Sequence, residues 1–225
     1  MQRTHEEMVA GKRISKRTVD SFQWLMITDS HGALMMDKME RQGVNTVVIT
    51  GGGIDHANEY LKKNDYFRGR MNTIFIVLGG NDIARRDVKI TELADRFESL
   101  VTRIISANKG CKVVTGTAIP RADAADKGDH FINRVELFDK KMGKRGWNHH
   151  HFLHDCFVGD LREWKGPIGI REELYVGDKV HLNLGGRDLL GRILAFVLDS
   201  VNRDNYKGRA EFPYNRSFRA VLWKF

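Results

Sequence analysis

Three short apolar runs, each cut off by a loop of glycine and polar residues, constrain this chain more than any other feature. Trp24-Leu25-Met26-Ile27 stops at Thr28-Asp29-Ser30-His31-Gly32, and Thr46-Val47-Val48-Ile49 stops just before Gly51-Gly52-Gly53. Ile74-Phe75-Ile76-Val77-Leu78 stops at Gly79-Gly80-Asn81-Asp82. Apolar runs this short, without alternation, predict strands buried on both faces. Ile90, Leu93, Phe97, Leu100 and Ile104 recur at spacings of three and four, which puts them on one face of a helix after the third strand. A fourth strand is predicted over residues 112–117, an amphipathic helix over about 131–144, and a weaker fifth strand near His151-Phe152-Leu153. A last helix carries Leu189, Leu190, Ile193, Leu194, Val197 and Leu198. Strand and helix in alternation predict an α/β fold with a parallel sheet covered on both faces.

The length, 225 residues, is enough for one such domain and short for two. The expected division is a polar basic leader over 1–22, the domain over 23–201, and a basic aromatic tail or added strand over 202–225. Three prolines argue against an extended linker. No run approaches the roughly 20 apolar residues that span a bilayer, and the N-terminus lacks the apolar centre of a secretory signal. An intracellular, cytoplasmic protein is expected. Cys111 and Cys156 form neither a metal-type spacing nor a disulfide framework, so each is expected to be buried and reduced.

In a sheet of this kind ligands bind beyond the carboxyl ends of the strands, where the three marked loops meet. Ser30 follows a strand and precedes a predicted helix, so its hydroxyl can be exposed and its N–H can face a ligand. A serine nucleophile needs a base, a group to orient that base, and donors for the oxyanion that forms. Asp178-Lys179-Val180-His181 offers the first two, with Asp178 fixing the tautomer of His181. The glycine loop lets backbone N–H groups approach a ligand closely, Gly52 being the preferred donor and Gly53 the next. Asn81 can donate a side-chain amide to the same oxygen, while Asp82 is expected to hold its loop.

Taken in order, Thr28-Asp29-Ser30, the glycine loop, Gly79-Gly80-Asn81-Asp82 and Asp178-Lys179-Val180-His181 resemble the four sequence blocks of SGNH (GDSL-like) hydrolases. The similarity takes in Ile119-Pro120-Arg121, a helix with Asn133, and Asp155, and so covers about residues 24–201. It implies a flavodoxin-like three-layer α/β/α sandwich on a five-stranded parallel sheet, and hydrolysis of acetyl or short acyl esters without a metal. Carried over by position, it implies Ser30, Asp178 and His181 as catalytic triad, with Ser30, Gly52 and Asn81 as oxyanion hole. Asp29-Ser30-His31 together with Ile119-Pro120-Arg121 looks most like the esterase domains of animal retroelement proteins. One departure is Thr28, which stands where the family usually has glycine and narrows the backbone conformations beside the nucleophile.

Other readings are weaker. Gly51-Gly52-Gly53-Ile54-Asp55 has neither the spaced dinucleotide fingerprint nor the lysine of a P-loop. Asn148-His149-His150-His151 with His154 invites a zinc reading, but neighbouring histidines on a strand point to opposite faces. No cofactor and no metal are expected, and the expected substrate is a small-molecule, lipid or carbohydrate ester. A net charge of +8 and a tail mixing Arg203, Lys207, Arg209 and Arg216 with Tyr206, Phe212, Tyr214 and Trp223 supply an alternative. That alternative is an idle or weak hydrolase fold that binds RNA or single-stranded DNA.

Overall fold

The computed structural model describes residues 3–9, 11–18, 24–64, 71–116, 118–121, 130–143, 150–151 and 170–202. Its centre is the strand the first apolar run predicts, β3 (Trp24–Thr28), which pairs in parallel with β4 (Asn45–Ile49) on one side and β5 (Thr73–Val77) on the other. Outward from β5 follow β6 (Lys112–Gly116) and β7 (His150–His151), also parallel. The parallel part thus reads β4-β3-β5-β6-β7, the order in which the chain runs one way from the first strand and then crosses to its other side. The reversal falls between β3 and β5, and Ser30 follows the carboxyl end of β3 two residues on.

Successive residues of these strands enter opposite cores, which is why the runs are apolar throughout. Leu25, Ile27, Ile74 and Ile76 pack under α3 (Ile54–Lys63), α5 (Ile90–Ala107) and α6 (His130–Gly143) through Tyr60, Leu61, Leu93, Phe97, Val135 and Phe138. Met26, Phe75 and Val77 pack on the other face against Met35 and Met39, beside and within α2 (Met36–Arg41), and against Leu190, Ile193 and Val197 of α7 (Leu184–Asn202). The result is a three-layer α/β/α sandwich whose sheet has a five-stranded parallel part, as the resemblance implies. Two short helices, α1 (Ser30–Ala33) and α4 (Gly80–Ile83), open directly from the first and third marked loops. No described helix is long and apolar enough to cross a membrane.

The leader expected over residues 1–22 is instead largely sheet. β1 (Arg3–Val9) and β2 (Lys12–Thr18) form an antiparallel hairpin, and β2 pairs antiparallel with β4 through Ile14↔Ile49 to Arg17↔Thr46, extending the sheet to seven strands. The polar composition hid it, because such an edge hairpin needs few apolar anchors: here Val9 and Ile14 enter the core under α3. The turn rests on Gly11, whose φ of 77° is left-handed. The fifth strand includes His151 as expected, while Phe152 and Leu153, together with Asn148, His149, His154, Asp155, Cys156 and the tail from 203 onward, lie outside the described residues. Cys111 is half-buried, and desolvation pushes its thiol up to about 11.

Because Ile14 is fully buried, Ile14→Ala should destabilise the domain by about 2–5 kcal/mol, the cost of a large-to-small change in a packed core. Urea unfolding measures it; a leader outside the core would give no change.

Candidate active site

The site begins with the turn after β3. Asp29 is the N-cap of α1, its Oδ1 accepting the N–H of His31 at 3.0 Å, and this holds Ser30 at the first helical position, where its own N–H has no acceptor within the helix. The same Oδ1 lies 2.9 Å from His31 Nδ1, and His31 Nε2 lies 2.9 Å from the carbonyl oxygen of Val180. Asp29 and His31 are both buried. Burial acts against both charges, yet the charge interaction and hydrogen bonds between the two hold the Asp29 carboxyl below the usual carboxylate range and His31 above the usual imidazole range.

Thr28 fits beside the nucleophile because position 32 has no side chain. A Cβ on Gly32 would lie less than 3.0 Å from three side-chain atoms of Thr28. The bulk added at position 28 is accommodated by its absence one turn later.

The base loop is a small hairpin between a single 3-10 turn (Glu172–Leu174) and α7. Tyr175 and Leu182 form its bridge, Val176 N–H donates to His181 O at 2.9 Å, and Lys179 N–H closes the turn on Val176 O at 2.9 Å. Lys179 takes a left-handed φ of 56° to bring Asp178 back over the chain. Asp178 Oδ1 then accepts the N–H groups of Val180 (2.8 Å) and His181 (2.9 Å), while Oδ2 accepts Nδ1–H of His181 at 2.6 Å. The hydrogen bond from the His181 ring, followed by the two backbone N–H groups, lowers the Asp178 carboxyl to about 2. With Nδ1 protonated toward the carboxylate, Nε2 of His181 turns its lone pair to Ser30, whose Oγ–H lies 3.4 Å away.

Residues that sequence reasoning did not single out anchor this hairpin. Asn183 donates its amide to the carbonyls of Glu173 and Tyr175 and accepts Gly186 N–H with its Oδ1, capping α7. Tyr175, buried, donates its hydroxyl to Pro120 O at 2.6 Å and so ties the base loop to the segment after β6. Burial raises that hydroxyl well above its ordinary pKa. The legible signal was limited to Asn183 standing just before the last helical period, the place of an N-cap.

The two remaining loops meet each other. Asn81 donates its amide to Gly52 O at 2.8 Å. Asp82 Oδ2 accepts Ile54 N–H at 3.1 Å, at the start of α3, and sits where any Cβ on Gly53 would stand. Burial raises the Asp82 carboxyl, with the Ile54 N–H opposing. Asp82 thus ties its own loop to the start of α3, behind the glycine loop. Gly52 N–H turns back to Ile49 O at 3.2 Å and Gly53 N–H donates to His56 Nδ1 at 3.2 Å, so both glycine donors make long bonds to the elements that flank their loop. Arg134 of α6 braces the segment after α4 by donating to the carbonyls of Ile83, Arg85 and Val88, each at 2.7 Å. Among the described residues no three His, Cys, Asp or Glu side chains gather as metal ligands.

No family model matches the chain, and no curated protein matches it in sequence. Solved structures do match it in fold. A lipase/acylhydrolase from Enterococcus faecalis superposes with a TM-score of 0.59 at 16% identity, covering 81% of this chain and 97% of the other. The C-terminal domain of Drosophila Oskar gives 0.62 at 14% identity, with 81% and 90% covered. A catalytic mutant of an acetylxylan esterase from Geobacillus stearothermophilus gives 0.57 at 14% identity, with 80% and 95% covered. The fold is that of the SGNH, GDSL-like hydrolases. At these identities the likeness is one of fold.

Gly32→Ala should destabilise the domain by about 1–3 kcal/mol through overpacking against Thr28. In a Thr28→Gly background the same substitution should cost markedly less, which a thermal-unfolding double-mutant cycle measures.

Proposed function

We propose that the protein is a serine esterase acting on acetyl or short acyl carboxylic esters, with Ser30 as nucleophile, His181 as base and Asp178 as the group that orients and supports it. The observation that carries this reading is the chain of contacts from Ser30 Oγ to His181 Nε2 (3.4 Å) and from His181 Nδ1 to Asp178 Oδ2 (2.6 Å), set at the strand-order reversal of the sheet. In the reaction, Ser30 Oγ attacks the ester carbonyl as His181 Nε2 takes the hydroxyl proton. The resulting imidazolium is stabilised by Asp178. Collapse of the tetrahedral oxyanion expels the alcohol, which leaves with the proton from His181, and Ser30 holds the acyl group. Water then attacks the acyl-enzyme with His181 again as base, releasing the acid and restoring Ser30.

The developing oxyanion needs donors that do not have to reorganise. Ser30 N–H at the helix start and the second proton of the Asn81 amide, whose first is spent on Gly52 O, are best suited. Gly52 N–H joins them by sharing its long bond to Ile49 O. The alternative, a nucleic-acid-binding module, rests on the charge of +8 and the tail composition. It gives no account of a carboxylate, an imidazole and a hydroxyl in hydrogen-bonded series.

Hydrolysis of p-nitrophenyl acetate and labelling by a fluorophosphonate probe test the proposal. Ser30→Ala should abolish labelling and lower turnover by on the order of a thousandfold or more. Equal rates in the two proteins would sink it. Asn81→Ala should keep labelling detectable while lowering kcat by on the order of a hundredfold, the effect of one lost oxyanion donor.

A further inference from the structure

His31 has no part in the chemistry just proposed, yet both of its ring nitrogens are engaged, Nδ1 with a carboxylate oxygen of Asp29 and Nε2 with the carbonyl oxygen of Val180, each at 2.9 Å. Neither partner can donate. A neutral imidazole carries one N–H and one lone pair, so it satisfies one of these acceptors and turns a lone pair on the other; an imidazolium satisfies both. We infer that His31 sits as an imidazolium and is a positioning residue, bridging the nucleophile turn to the peptide group that carries His181, an inference that rests on the esterase reading.

The bridge lands on a telling atom. Val180 C=O and His181 N–H belong to one planar peptide group: its oxygen is held by His31 Nε2–H and its N–H by Asp178 Oδ1 at 2.9 Å. Gripped at both ends, this plane sets the direction in which the His181 side chain leaves the backbone. The Ser30–His181 separation of 3.4 Å is at the long end for an O–H···N contact. A small shift of the base loop therefore decides whether proton transfer has a usable geometry.

The charged and titratable groups around His31 are Asp29 on its own turn, His181 on the base loop, with ring centroids 6.0 Å apart, and Arg121 on the segment after β6. Burial and Arg121 favour the neutral ring. The Asp29 charge and the hydrogen bonds to Asp29 and Val180 outweigh them and keep the proton on His31 above the ordinary imidazole range. Because the folded-state pKa of His31 is raised, its double protonation is held below that raised value and is lost as pH rises through it. Asp29 cancels the His31 charge, so the imidazolium that forms on His181 during turnover faces a neutral pair.

The test uses the full chain in two arms. In the first, ring-nitrogen NMR of the wild-type protein at a pH of about 7.5, above the ordinary histidine value, should find both nitrogens of His31 protonated; one protonated nitrogen would overturn the inference. This arm needs neither a variant nor turnover. In the second, kcat for p-nitrophenyl acetate, corrected for spontaneous hydrolysis, should fall on the alkaline side in the wild type. In His31→Gln, which keeps one donor, kcat should drop on the order of tenfold with KM within about twofold, and the alkaline fall should vanish. An alkaline fall unchanged in His31→Gln would overturn the positioning role. A wild-type chain that neither hydrolyses esters nor takes the fluorophosphonate probe, yet carries a doubly protonated His31, would overturn the esterase reading and leave the bridge standing.

Discussion

Everything at the candidate site depends on β3 being hydrogen-bonded on both edges and buried on both faces. A strand held by β4 and β5 at once cannot slip or bend without breaking two ladders and opening two cores. Thr28, its last residue, is itself buried, so the chain leaves the sheet at a fixed point and in a fixed direction. The turn that follows has an Asp29 cap and a glycine at 32 to clear Thr28, and these place Ser30 at the sheet edge.

Two carboxylates organise that edge, in opposite ways. Asp178 is exposed and gathers three N–H donors, which outweigh a small opposing desolvation and keep its pKa low. Asp29 is buried and stays ionised through its bond to His31 and the N–H at its N-cap. A buried pair of this kind contributes little net stability, but removing one partner strands a charge and costs about 3–5 kcal/mol. Its value lies in geometry: it fastens the nucleophile turn to a base loop that lies some 150 residues later in sequence, an arrangement closed by Ser30 and His181 themselves.

Much of the fold was legible because its signals are local. Apolar runs ending in glycine, and helical periods such as Ile90 to Ile104, record burial residue by residue. The β1–β2 hairpin was not legible, since an edge strand satisfies its neighbour through backbone hydrogen bonds that side-chain pattern does not encode. Thr28 is similar: its fit depends on Gly32, a relation visible once the turn is built.

For the site, the sequence by itself determined which groups are available: a serine after a strand, an Asp and a His three apart, an amide and a glycine loop, each at a strand end or before a helix. Hydrogen-bonding capacity is a property of residue type, so it can be read without coordinates. Tertiary structure decided which partner each group takes. It joined Asn81 to Gly52 O and turned the Gly52 and Gly53 N–H groups onto the strand and helix that flank their loop. It also set both ring nitrogens of His31 against acceptors from different ends of the chain. Those choices depend on ångström-scale distances between segments that meet only when the two cores pack against one sheet.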